Sequence, residues 1–338
     1  MKAVRRNVTI LDVAKMANVS PSTVTHSLNG KRPVKEETKA RIKEAIDKLG
    51  YVPSWNASRL KGRYSGVIGC LATDISETFV NQIVRGIEEG LAGGDETLLF
   101  VSLVEFADGY EAAFRFLQSH DIDGLIICHH IIPEDKLLHV KKENIPIVSL
   151  NMSHEDSVSV IADSEGGGAQ AAEHLYSAGM RMPAVICGPE NRVSARTRFH
   201  GFCERLKELS IPLPADPCFG EYDADHGYDA CNKLLAAGVK FDGLFAGNDY
   251  IAAGAITALT EHGIRVPEDV KVVGFDNRDF SSFWNPPITT FQQPLREMGL
   301  IGIGLLRNLI ANGSVSQRKY VLEPKLIIRQ SSGRKNNI

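Results

Sequence analysis

The chain has 338 residues, 43% hydrophobic, 23% charged and 7% aromatic, enough for two or three globular units and too apolar for wholesale disorder. The formal charge of -3 hides an asymmetry: residues 1–64 hold 14 Lys and Arg against 5 Asp and Glu, a surplus of +9, and the remaining 274 hold 24 against 36, a balance of -12. A small cationic unit joined to a large acidic one predicts that the first part meets a polyanion, nucleic acid foremost, while the second does something else.

Over residues 10–19, Ile10, Val13, Ala14 and Ala17 follow the i, i+3, i+4, i+7 spacing of one buried helical face. Asn18 tolerates the left-handed backbone of a tight turn, and Val19 returns to the core. Ser20-Pro21 then supplies a capping hydroxyl and a proline at the first position of a second helix. That helix turns Val24 and Leu28 inward and leaves Pro21, Ser22, Thr25 and His26 on its outer face, before Asn29-Gly30 ends it. A third helix is predicted over 36–49, with Ile42, Ala45, Ile46 and Leu49 as its buried stripe, Glu36 and Glu37 at its positive end and Gly50 as its stop. Two short helices joined by a tight turn and braced by a third make an all-α helix-turn-helix headpiece, whose second helix enters a DNA major groove.

Residues 53–62 follow, with Ser54 as a cap and Gly62 past the end of a short helical stretch. A helix this short falls below the roughly 12 to 15 residues needed for marginal stability in water, so it should order only against a surface such as DNA. From residue 66 onward, apolar strand-like runs at 66–72, 97–103, 124–128, 157–162, 184–187, 243–246 and 270–275 alternate with amphipathic helices at 79–91, 110–117, 169–177, 198–209, 226–236 and 251–261. This rhythm predicts parallel sheets covered by helices on both faces, and its two sets imply two lobes of an α/β core. Ligands bind beyond the carboxyl ends of such strands. Thr73 and Asp74, His129, Asn151, Asn248 and Asp249, and Asp276 stand at those places, a set of carboxylates and amides suited to a hydroxyl-rich ligand such as a sugar.

Val8-Thr9-Ile10-Leu11-Asp12-Val13-Ala14 and Val19-Ser20-Pro21-Ser22-Thr23-Val24-Thr25-His26-Ser27-Leu28-Asn29-Gly30 resemble the opening of the lac repressor and galactose repressor family of bacterial transcription regulators. The resemblance continues through Tyr51-Val52-Pro53-Ser54, Gly188-Pro189, Ser194-Ala195-Arg196, Asn248-Asp249, Val272-Val273-Gly274-Phe275-Asp276 and Pro286-Pro287-Ile288-Thr289-Thr290, and so over nearly the whole chain. It implies a headpiece at 1–52, a hinge helix at 53–63, a two-lobed core of the type I periplasmic-binding-protein fold at 64–330 and a tail at 331–338. Within the core it implies lobe 1 at about 64–163 and 291–324 and lobe 2 at about 164–290, with crossovers near Asp163 and Pro287. The DNA-contacting set it implies is Thr9, Ser20, Pro21, Ser22, Thr23, Thr25, His26 and Asn29, with Ser54, Asn56 and Leu60 in the hinge, where Leu60 wedges into the minor groove. Arg198 and Asp276 become the charged ligand contacts, and Thr73, Phe79, Asn151, Tyr222 and Asn248 line the rest. A homodimer on a palindromic DNA operator is expected.

The function implied is a transcription regulator, in its main reading a repressor released from its operator by a sugar. Nucleobase or protein-partner control is the alternative, since Phe79 resembles nucleobase-binding relatives and Asn151 stands where sugar-responsive members carry Asp. A sugar-binding transport protein would share the core but calls for a signal peptide and no headpiece; Asp12 and Lys15 interrupt any secretory segment. No Gly-x-Ser-x-Gly elbow, P-loop, His-Glu-x-x-His or Gly-x-Gly-x-x-Gly helix start points to an enzyme. Gly166-Gly167-Gly168 reads as close packing. No apolar run reaches the roughly 20 residues of a membrane helix. Cysteines 70, 128, 187, 203, 218 and 231 contain no Cys-x-x-Cys pair, so neither disulfides, metal nor cofactor is expected of a protein placed in the cytoplasm.

Overall fold

The computed structural model describes residues 8–29, 32–49, 51, 64–74, 78–105, 109–128, 132, 144–153 and 157–333. The chain divides into two compact units, Met1–Gly66 and Val67–Ile338.

The first unit holds α1 (Ile10–Ala17), α2 (Pro21–Asn29) and α3 (Glu36–Leu49). α1 ends at Ala17, where the sequence places its turn: Asn18 takes φ 54° and its backbone N–H bonds back to the last carbonyls of α1. Val13, Ala14, Ala17, Val24, Ile42, Ala45 and Tyr51 form its buried core, with Val19, Ile46 and Leu49 packed against it. The side chain of Leu28 lies outside the described residues.

In the second unit one six-stranded sheet has the order β11-β5-β4-β3-β1-β2, formed by β1 (Val67–Ala72), β2 (Thr97–Ser102), β3 (Gly124–Cys128), β4 (Ile147–Leu150), β5 (Val158–Ala162) and β11 (Lys319–Leu322). A four-stranded sheet has the order β7-β6-β8-β9, formed by β6 (Pro183–Cys187), β7 (Cys218–Phe219), β8 (Gly243–Ala246) and β9 (Lys271–Val273). All neighbours in both sheets are parallel. Helices cover both faces, so central strands such as β1 and β3 are buried at every residue, and their sequences are continuous apolar runs rather than alternations. The first sheet packs α4 (Thr78–Leu91), α5 (Tyr110–Ser119) and α10 (Leu295–Asn312) into its cores; the second packs α6 (Ser164–Ser177), α7 (Val193–Glu208), α8 (Ala224–Ala236) and α9 (Asp249–Glu261). Gly168 of α6 and Gly201 of α7 let these helices touch backbone to backbone: a Cβ on Gly168 would overlap the Arg198 carbonyl, and one on Gly201 the Glu165 carbonyl. The glycine cluster thus serves packing.

The chain passes between the lobes three times, after β5, through β10 (Thr290–Gln292), and between β11 and β12 (Lys325–Ile327); β10 and β12 pair antiparallel. The end of the chain departs from the sequence reading. Residues 325–333 return to the second lobe, and Ser331 and Ser332, expected at the start of a tail, are 0% and 4% exposed. Ser331 Oγ donates to the Val272 carbonyl at 2.6 Å and accepts the Thr289 N–H at 2.8 Å, while Ser332 Oγ meets His174 Nε2 at 2.7 Å. The second lobe has thus recruited a C-terminal segment whose polar composition reads as tail, because its polar groups bond to open backbone beside β9.

Candidate functional site

In the first unit the N-terminus of α2 is built from hydroxyls. Ser20 Oγ accepts the Thr23 N–H at 3.1 Å and lies 2.7 and 2.8 Å from the hydroxyls of Ser22 and Thr23. Thr25 Oγ1 donates back to the Pro21 carbonyl at 3.0 Å, and the Thr9 N–H and hydroxyl both donate to Asp12 Oδ2, at 2.8 and 2.7 Å. Thr9, Ser20, Thr23 and Thr25 therefore bond inside the headpiece as well as standing at its helix starts. Pro21 and Ser22 are exposed and His26 is half-buried. Ser54, Asn56 and Leu60 lie outside the described residues, as does the side chain of Asn29.

In the second unit Asp276 lies just beyond β9 with φ 101°. Its N–H donates to the Phe291 carbonyl at 2.9 Å, and its Oδ1 accepts Gln293 Nε2 at 2.7 Å, so a crossover segment holds it from both ends. A narrow cleft sets Asp276, Arg278 and Gln293 opposite Thr78, Phe79 and Gln82 of α4. Behind this wall Arg198 is 4% exposed. Its guanidinium carbon sits 3.5 Å from the centre of the Phe275 ring, which stacks on Phe291 at 5.1 Å, and Nη1 donates to the Gly247 carbonyl. Asn248 is also buried; its Oδ1 caps α9 by accepting the Ile251 N–H at 2.9 Å, and its Nδ2 donates to the Tyr222 carbonyl at 3.3 Å. Burial raises the Tyr222 phenol above its ordinary pKa against the pull of Arg198.

The structure thus brings Phe79 to Asp276 and gathers Arg198, Tyr222 and Asn248 on the second lobe. Thr73 and Asn151 stand beyond β1 and β4 but outside this narrow lining. The Thr73 carbonyl accepts Ser102 Oγ at 3.0 Å, and Asn151 takes φ 58°. His129 lies outside the described residues. Sequence reading passed over Arg278 and Gln293, which sit in loops without periodicity, and set Asp249 among the ligand-facing residues past the strand ends, whereas the structure buries it behind the cleft, where its oxygens bond inside the protein. That carboxylate is 0% exposed. Its Oδ1 accepts Thr290 Oγ1 at 2.5 Å, its Oδ2 accepts the Arg278 N–H at 2.7 Å, and its own N–H donates to the Phe275 carbonyl at 2.8 Å. It therefore ties the Asp276 loop to the crossover strand β10, and burial pushes its pKa up to about 7. A wider recess among His174, Arg265, Lys271 and Ser332 opens where β9 begins, opposite the strand ends at which such sheets bind ligands.

Among the described residues no helix is long and apolar enough to cross a membrane, and no group of three His, Cys, Asp or Glu is placed to hold a metal. Residues 9–54 match the model of bacterial regulatory proteins, lacI family, and residues 172–332 match a periplasmic binding protein-like domain. The HTH-type transcriptional repressor PurR of Haemophilus influenzae (strain PittEE) is 33% identical over 329 residues, covering 96% of this chain and 98% of the relative. PurR of Aliivibrio salmonicida (strain LFI1238) is 31% identical over the same shares. Among solved structures, a lac repressor dimer bound to operator and the anti-inducer ONPF aligns with a TM-score of 0.86 at 29% identity, covering 97% of this chain and 99% of that one. The transcriptional regulator CelR in complex with cellobiose aligns with a TM-score of 0.70 at 28% identity, over 96% and 100%. With a helix-turn-helix unit, a two-lobed core and relatives of this likeness over almost its full length, the chain belongs to the lacI family of bacterial regulatory proteins: a DNA-binding transcription regulator whose operator binding is modulated by a small molecule held in the C-terminal domain.

Proposed function

We propose that the protein is a repressor that binds a palindromic operator as a homodimer and takes its effector in the cleft between Asp276 and Phe79. Pro21, Ser22 and His26 face the major groove, with Thr9, Ser20, Thr23, Thr25 and Asn29 as backbone-contacting neighbours, and the hinge supplies Ser54, Asn56 and Leu60. The observation that carries the effector site is Asp276, a half-buried carboxylate bonded on both sides to the segment that crosses between lobes. A ligand that displaces Gln293 from Asp276 pulls directly on that crossover, and so acts through its differential affinity for two arrangements of the lobes. A nucleobase-type effector replaces the sugar of the first reading. Curated relatives at 31–33% identity are PurR repressors, and Phe79 brings an aromatic side chain to the lining.

The test uses the full chain and a duplex recovered from random palindromes by selection. Guanine, hypoxanthine, ribose and cellobiose are added in turn while DNA binding is followed by fluorescence anisotropy. A nucleobase that shifts operator affinity in the wild type and not in Asp276→Asn supports the site. A neutral sugar acting alone restores the first reading, and an effect undiminished in Asp276→Asn removes the cleft.

A further inference from the structure

Among the described residues three buried side-chain polar atoms have no hydrogen-bond partner: Arg198 Nε, Tyr222 Oη and Arg278 Nε. All three can donate, two belong to guanidinium groups, and all lie on the second lobe near Asp276. Folded proteins leave few such atoms, so a cluster of idle donors asks for acceptors from outside the chain. Arg198 is otherwise held by Gly247 and Phe275. Arg278 is not.

Three other half-buried arginines are tied down: Arg205 to Glu173, Arg307 to Glu96, and Arg329 to Asn277 and Ser281. Arg278 has Asp276 and Asp279 close in sequence, yet its side chain forms no hydrogen bond or ion pair with another described residue. Its guanidinium rests 5.6 Å from the Tyr250 ring, while its backbone is fixed by the bond from its N–H to Asp249. The side chain lines the cleft opposite Thr78, the first residue of the 14-residue helix α4, whose first turn carries no acidic residue. A planar cation with unused donor edges and the positive end of a helix therefore face one space from two lobes.

We infer that the effector is an anion whose phosphate or carboxylate group is taken by Arg278. The inference rests on the cleft being the effector site and narrows the ligand from a neutral base or sugar to a charged one. Asp276 then accepts a hydrogen bond from an N–H or O–H elsewhere on the same molecule, so the site asks for a donor and an anion on one ligand. A bidentate bond to the anion draws the guanidinium off Tyr250 and gives Nε its acceptor.

Matched pairs test this on the full chain: guanine with guanosine 5′-monophosphate, hypoxanthine with inosine 5′-monophosphate, ribose with ribose 5-phosphate, and glucose with glucose 6-phosphate and gluconate, beside inorganic phosphate alone. Thermal shift finds the binders and calorimetry measures them. A charged member should bind about tenfold or more tightly than its neutral counterpart. Arg278→Gln should erase that preference, and Asp276→Asn should weaken both members. The inference is overturned if a neutral member binds as tightly as its charged partner, if Arg278→Gln holds the anion like the wild type, or if no charged member binds. Loss in Asp276→Asn with none in Arg278→Gln keeps the cleft and removes the anion; binding that survives both substitutions removes the cleft itself.

Discussion

Asp249→Asn sets two physical effects against each other. Burial favours the protonated carboxyl, while the Thr290 hydroxyl and the Arg278 N–H, both donating to the carboxylate, favour the anion; burial is the larger, and the group titrates near 7 instead of its ordinary 3.8. Below pH 3.8 both the folded and unfolded chains keep the proton and nothing is lost. Between 3.8 and about 7 the unfolded chain gives it up first, so stability falls as pH rises, and above about 7 the loss is complete. The full effect is about 4 kcal/mol at about 1.4 kcal/mol per pH unit. An asparagine has the shape of the protonated acid: its oxygen can accept the Arg278 N–H, and its amide can face a turned Thr290 hydroxyl. Urea unfolding of the core in wild type and variant at pH 4.5, 6 and 8 should therefore show an advantage of the variant that grows from about 1 kcal/mol at pH 4.5 toward about 4 kcal/mol at pH 8. A difference that stays constant with pH would mean that the two hydrogen bonds, not burial, decide the charge of Asp249.

Ser331→Ala leaves the Thr289 N–H and the Val272 carbonyl without their buried partner and should lower the stability of the second lobe by about 2–3 kcal/mol, read by denaturant titration. Gly168→Ala drives a methyl into the Arg198 backbone; the expected loss is about 1–3 kcal/mol in the same assay, with weaker effector binding as Arg198 moves. Ser22→Ala with His26→Ala should reduce discrimination between selected and random DNA in competition anisotropy more than it reduces binding to random DNA. Wild-type affinity for either DNA should fall steeply and linearly on a log–log plot as salt rises, through the 14 cationic residues of the first 64.

Local chemistry made the headpiece readable from the sequence. Ala14, Ala17 and Val24 repeat on one face, Asn18 can take a positive φ, and Ser20-Pro21 can start a helix whatever lies elsewhere, because helix periodicity, turn and cap involve only residues a few positions apart. The alternation of strands and helices after residue 66 was equally plain. Short elements escaped: β7, β10 and β12 are two or three residues long and gain their partners from distant segments. The same holds for Ser331, polar by composition and buried because backbone 42 and 59 residues away needed its hydroxyl. It holds for the cleft as well. Phe79 and Asp276 are nearly 200 residues apart, Arg278 lies idle between two aspartates that a sequence reader would pair with it, and Asp249 keeps its proton to about neutral pH because three segments exclude water from it. Spacing along the chain records which residues share an element; which side chains are left without partners where two lobes meet depends on distances that only the folded chain defines.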